Sequence, residues 1–137
     1  MVFLKLLENI RNKTTEILDA KNYGPVKFSV ESAKPGFGDI TCNVPFLLSK
    51  QLKKSPQEIS AELSKMYNFD DMPQIKNVES HASGYLNFSI DYTKFNDLVI
   101  SLSLQENYGA LEFGNNEKIV VEHTSVNPNK ALHVGHI

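Results

Sequence analysis

Two short runs in the second half of the chain, Ile75-Lys-Asn-Val-Glu-Ser80 and Tyr85-Leu-Asn-Phe-Ser-Ile90, alternate in part between apolar and polar residues and are joined through His81-Ala-Ser-Gly84. Alternation at period two marks a strand with one face buried and the other wet. A few strands of this kind predict an antiparallel sheet, because parallel sheets bury both faces and read as continuous apolar runs. The rest of the chain must then supply helices that cover the buried side.

The flanking segments have that character. Phe3, Leu6, Leu7, Ile10, Ile17 and Leu18 recur at helical spacing, which predicts an amphipathic helix from Val2 to Ala20, stopped by Asn22-Tyr-Gly-Pro25. Val26-Lys-Phe-Ser-Val30 predicts a half-buried strand with Val26, Phe28 and Val30 inward, and Glu31 to Gly38, with Pro35, Gly36 and Gly38, predicts a loop. Asp39 is placed to cap a helix carrying Val44, Phe46, Leu47, Leu48 and Leu52, with Pro45 early enough to be tolerated. Ser55-Pro56-Gln57-Glu58 is a capping box that opens a helix running to about Met66. Asp91 caps a last helix whose expected core face is Phe95, Leu98, Val99, Leu102 and Leu104. Tyr108 to Asn116 reads as a linker, dividing the chain into residues 1–115 and 116–137. The predicted fold is α+β, a small antiparallel sheet packed with helices.

At 137 residues and 41% hydrophobic content there is material for one core, and a formal charge of −2 argues against indiscriminate nucleic-acid binding, so any RNA contact must be local. The single cysteine, Cys42, excludes an internal disulfide and reads as a small buried side chain. Lys5 and Glu8 interrupt the apolar N-terminus, which is therefore neither a signal peptide nor a membrane span. Lys50, Lys53 and Lys54 read as a solvated face, and Asp70 and Asp71 lack partner ligands.

The last stretch carries the chemistry. Ile119, Val120 and Val121 predict a buried strand ending near Glu122, and Thr124, Ser125, Asn127, Pro128 and Asn129 make a polar turn. Leu132-His-Val-Gly-His136 then reads as a loop entering a helix, whose first N–H groups and dipole favour an anion such as phosphate. His133 and His136 share one face of a first turn, and Gly135 leaves room for close approach of a ribose or base. No further ligand at a suitable spacing supports a metal site here.

The run Val121-Glu-His-Thr-Ser-Val-Asn-Pro-Asn-Lys-Ala-Leu-His-Val-Gly-His136 resembles the His-x-Gly-His signature of class I aminoacyl-tRNA synthetases, and that of arginyl-tRNA synthetases in particular. Gly38-Asp-Ile-Thr-Cys-Asn43 and Gly84-Tyr-Leu-Asn-Phe88 are similar to segments of the extra N-terminal domain of that family. The resemblance implies a soluble cytoplasmic monomer that uses ATP with Mg2+ to activate L-arginine and passes it to tRNA(Arg). It implies that His133 and His136 stabilise the reacting triphosphate, that Gly135 and Lys130 help hold ATP, and that Glu122, Ser125 and Asn127 hold arginine. In the family an aromatic and an amide of the N-terminal domain read a D-loop base, and these fall on Tyr85 and Asn87. On a strand these two share a face, suited to stacking an unpaired base and bonding its edge. The family has Pro where this chain has Val126, and frequently Ile where it has Val134. The chain stops directly after the signature, so it is expected to hold the first strand of a truncated Rossmann-type catalytic domain and to be inactive by itself. Two other readings stay open: a free-standing RNA-binding module, and a small protein-interaction domain with an incidental histidine pair.

Overall fold

The computed structural model describes residues 2–109 and, beyond them, residues 118, 120, 121, 129 and 131. The order is α1 (Val2–Ala20), β1 (Val30–Ser32), β2 (Ile40–Cys42), α2 (Val44–Leu52), α3 (Pro56–Ser64), β3 (Ile75–Ser80), β4 (Leu86–Ile90) and α4 (Tyr92–Ser103). All strand pairs are antiparallel, in the order β1-β2-β4-β3. The predicted α+β class and the antiparallel sheet are both present.

Helix α1 buries Leu6, Ile10, Thr14 and Leu18, one residue per turn along a single stripe. Thr14 is tolerated there because its hydroxyl donates to the Ile10 carbonyl at 2.7 Å and meets the Tyr67 hydroxyl at 2.7 Å. The helix ends where Asn22 turns left-handed (φ 56°), with Asn22 N–H donating to Asp19 O and Tyr23 N–H to Leu18 O, each at 3.0 Å. The capping box of α3 forms as predicted: Glu58 N–H donates to Ser55 Oγ, and Ser55 N–H donates back to Glu58 Oε2 at 2.9 Å. Asp91 caps α4, accepting from Lys94 N–H.

One sheet face carries Ile40, Cys42, Leu86, Phe88 and Ile90 into a core shared with Leu6 and Ile10 of α1, Leu48 of α2, and Ile59 and Leu63 of α3. Phe88 is fully buried, with Tyr67 edge-on at 5.2 Å and Phe69 at 6.4 Å. Each such side chain stabilises the fold by about 1.5–3 kcal/mol relative to exposure. Cys42 is in this core as expected. Burial pushes its thiol up to about 12, against the opposing pull of the Val44 backbone and Arg11.

The structure corrects several expectations. Residues 26–29 form no strand: Val26 and Phe28 point to the core, but the ladder begins only at Val30. Asp39 caps no helix. Ile40–Cys42 is a strand, and α2 begins at Val44 after Asn43, whose Oδ1 is committed to Ser29 N–H at 2.9 Å. Helix α4 has no fully buried residue, and Leu104, expected in its core face, is 81% exposed. The strand expected from Ile119 to Val121 falls partly outside the described residues, of which Val120 and Val121 are 95% and 78% exposed. Among the described residues no helix is long and apolar enough to cross a membrane.

Candidate nucleic-acid interface

The other face of the sheet is polar. Pairing sets Glu31 opposite Thr41, Thr41 opposite Asn87, and Asn87 opposite Glu79, so these four residues form one row across all four strands. Over part of this row lies a groove of about 370 Å³, lined by Glu31, Lys34, Phe37, Thr41, Tyr85 and Asn87, with Ser32 and Ser83 at its edge.

Tyr85 and Asn87 therefore meet in one cavity, while the intervening Leu86 and the following Phe88 are fully buried on the core side. Tyr85 is 36% exposed, and its ring leans on Phe46 of α2 at 4.8 Å. Its carbonyl accepts from Ser60 Oγ of α3 at 2.9 Å, which ties the start of β4 to the helical layer. Asn87 is only 8% exposed, unlike a merely solvated strand residue, and its Oδ1 accepts from Thr41 Oγ1 at 3.0 Å.

Sequence reasoning missed Phe37 and Thr41. Phe37 is brought to the groove by a loop held closely against β4. Asp39 N–H donates to Phe88 O at 2.9 Å, and Asp39 Oδ2 accepts from Ile90 N–H at 2.7 Å. Asp39 Oδ1 also accepts from Tyr92 Oη at 2.5 Å, and this carboxylate holds the Tyr92 phenol above its ordinary range. Gly38 makes the approach feasible: its φ is +78°, and a Cβ there would stand 2.9 Å from Phe88 O. Phe37 itself remains 42% exposed, edge-on to the His81 ring at 4.9 Å. The sequence signal for it is an aromatic set between two glycines, where no core is available to take it.

His81 is held by its own turn, with Nδ1 accepting from Ser83 N–H at 3.0 Å and meeting Ser83 Oγ at 2.6 Å. Two aromatic rings, each backed by another ring, thus border a floor that offers an amide and a hydroxyl. A neutral flat guest can stack on the walls and have its edge bonded from below. Of the expected cationic cluster, Lys54 is paired with Glu62 at 2.8 Å, which raises the lysine and lowers the carboxylate. Asp71 is taken by Lys13 at 3.1 Å. Among the described residues no three metal-ligating side chains converge. The predicted ATP and arginine residues, Glu122, Ser125, Asn127, Lys130, His133, Gly135 and His136, lie outside the described residues.

Residues 4–90 match the family described as the arginyl tRNA synthetase N terminal domain. An arginine–tRNA ligase of Thermococcus sibiricus is 38% identical over 96% of this chain and 21% of its own length. One from Methanosphaera stadtmanae is 41% identical over 78% of this chain and 18% of its own length. Among solved structures, Thermus thermophilus arginyl-tRNA synthetase superposes with a TM-score of 0.60 at 32% identity, covering 96% of this chain and 21% of that one. The chain thus spans about a fifth of the length of the relatives it matches.

Proposed function

The chain belongs to the family of arginyl-tRNA synthetase N-terminal domains, and from that premise we propose that it is the RNA-gripping part of an arginine–tRNA ligase. Its groove takes an unpaired D-loop base of tRNA(Arg). The observation that carries this reading is the convergence of Tyr85, Asn87 and Phe37 on one cavity of the open sheet face. Tyr85 and Phe37 supply stacking surface, and Asn87 supplies hydrogen bonds to the base edge. Lys34, an exposed residue of the lining, is suited to meet a phosphate flanking the seated base.

For the whole protein, the proposed reaction is ATP-dependent activation of L-arginine and its transfer to tRNA(Arg), by a cytoplasmic monomer. In that reaction His133 and His136 stabilise the triphosphate of Mg2+-ATP, Gly135 and Lys130 help hold the nucleotide, and Glu122, Ser125 and Asn127 hold arginine. The division into residues 1–115 for RNA and 116–137 for the start of the catalytic part belongs to the same proposal.

The test is binding of labelled tRNA(Arg) to the chain, followed by fluorescence anisotropy, with intact RNA and with RNA whose D-loop is shortened to a tight turn. Loss of the loop, and each of Tyr85→Ala, Asn87→Ala and Phe37→Ala, is expected to weaken binding at least about fivefold, since stacking contributes about 1–3 kcal/mol per base. Equal binding of both RNAs, or three variants indistinguishable from the parent, would overturn the reading.

A further inference from the structure

We propose that Thr41 is a positioning residue that sets which base edge the groove accepts, an inference that rests on the D-loop reading above. A side-chain amide is nearly symmetric in shape but opposite in chemistry at its two ends, one a donor and the other an acceptor. An amide free to turn over would serve either kind of edge and discriminate poorly. Asn87 is not free. It stands directly opposite Thr41 on the neighbouring strand, and Thr41 Oγ1 donates to its Oδ1 at 3.0 Å.

A turned-over amide would donate Nδ2–H to Oγ1 instead and leave the Thr41 hydroxyl hydrogen without the acceptor it has here, so the bond favours the oxygen toward β2. The Nδ2 end has no hydrogen-bond partner among the described residues. Nδ2 is therefore the end left for a guest, and it requires an acceptor on the guest's edge. Oδ1 keeps a second lone pair, so an edge that sets an amine beside its acceptor gains a further bond. Burial sharpens the choice. Asn87 is 8% exposed, so a base that brings the wrong group leaves a polar atom unpaired with little water to compensate.

The experiment uses the chain and tRNA(Arg) D-arm hairpins in which each unpaired loop position carries A, C, G or U in turn. The quantity read is the ratio of affinities between the best and worst base at the most sensitive position. The parent is expected to show a ratio of at least about fivefold, the low end for one well-placed side-chain contact to a base. Thr41→Val keeps the β-branched shape and removes the hydroxyl, and the ratio is expected to fall to within about twofold of unity, while Thr41→Ser restores it. If Asn87→Ala weakens binding but Thr41→Val keeps the parent ratio, the positioning role is wrong and the site reading survives. If Asn87→Ala binds as the parent does, the site reading falls and this inference with it. Should Thr41→Val fail to fold, Asn87→Asp and Thr41→Ala replace it. The carboxylate of the first has acceptors at both ends, so its preference for a base presenting an amine checks the Asn87 site alone. Thr41→Ala also removes the hydroxyl and carries the positioning test: a ratio equal to the parent's overturns the proposal.

Discussion

Replacing Gly84 by alanine tests how the groove is held to the helical layer. Gly84 precedes Tyr85 and has a φ of +87°; a Cβ there would lie 2.5 Å from Pro56 Cβ and 3.2 Å from the Pro56 carbonyl carbon. The positive φ costs an alanine about 1–2 kcal/mol. Forcing a methyl against the first turn of α3 costs roughly another 1–3 kcal/mol, because Pro56 is a rigid ring and Ser55 and Glu58 lock that turn in a capping box. The total, about 2–5 kcal/mol, is a large part of the 5–15 kcal/mol that stabilises a typical domain. In a domain of this size it corresponds to a fall in Tm of at least about 8 °C. Gly36→Ala is the matched comparison: its φ of +90° is nearly the same, but nothing stands within 4 Å of its Cβ. That variant bears only the backbone cost, about 1–2 kcal/mol. Thermal denaturation followed by far-ultraviolet circular dichroism measures both. If the two variants melt together, the packing of the Gly84 turn on α3 contributes nothing and the reasoning is refuted.

Three further outcomes are expected. Cys42, buried and with its thiol raised to about 12, should resist iodoacetamide at mildly alkaline pH until the chain is denatured, as read by mass spectrometry; rapid labelling of folded protein would contradict its place in the core. Glu58, Glu62, Asp71 and Asp91 are all lowered, through Ser55 N–H, Lys54, Lys13 and Lys94 N–H respectively. Groups depressed in the folded state contribute stability above their unfolded values and lose it as pH falls, so Tm should decline below roughly pH 4 and a flat profile there would rule this out. Glu31→Lys should strengthen binding to any RNA hairpin and reduce the preference for an intact D-loop, and an unchanged preference would show that the charge of the floor plays no part.

Much of the fold could be read locally because its signals are local. The α1 stripe, the capping box at Ser55, the Asp91 cap and the runs that became β3 and β4 depend on residues within a turn or strand of one another. What failed depended on distant partners. Asp39 looks like a cap when only its neighbours are considered, yet its carboxylate serves Ile90 N–H and Tyr92 Oη across the sheet. Ile40-Thr-Cys42 is too short to display a period, and becomes a strand because β1 and β4 flank it. The site divides in the same way. Tyr85 and Asn87 could be paired because two positions along a strand share a face. Phe37 and Thr41 join them only through the register of β2 on β4, which no local pattern records.

In the proposed function, the row Glu31–Thr41–Asn87–Glu79 suits a chain of charge −2 to holding RNA without binding all of it. Of its two carboxylates only Glu31 lines the groove, so a phosphate brought down beside Thr41 would be repelled from that side. A nucleotide entering with its neutral base leading would keep its phosphates toward solvent, within reach of the exposed lining residue Lys34. In a duplex the bases are stacked and paired behind two phosphate strands, so such an entry would first require unstacking, at a cost of a few kcal/mol. An unpaired loop base has little of that to give up. In the proposed function Glu31 would thus favour single-stranded nucleotides before any hydrogen bond is formed. In that proposal Tyr85 and Phe37 supply affinity by stacking, and Asn87, bonded to Thr41, supplies the choice of base.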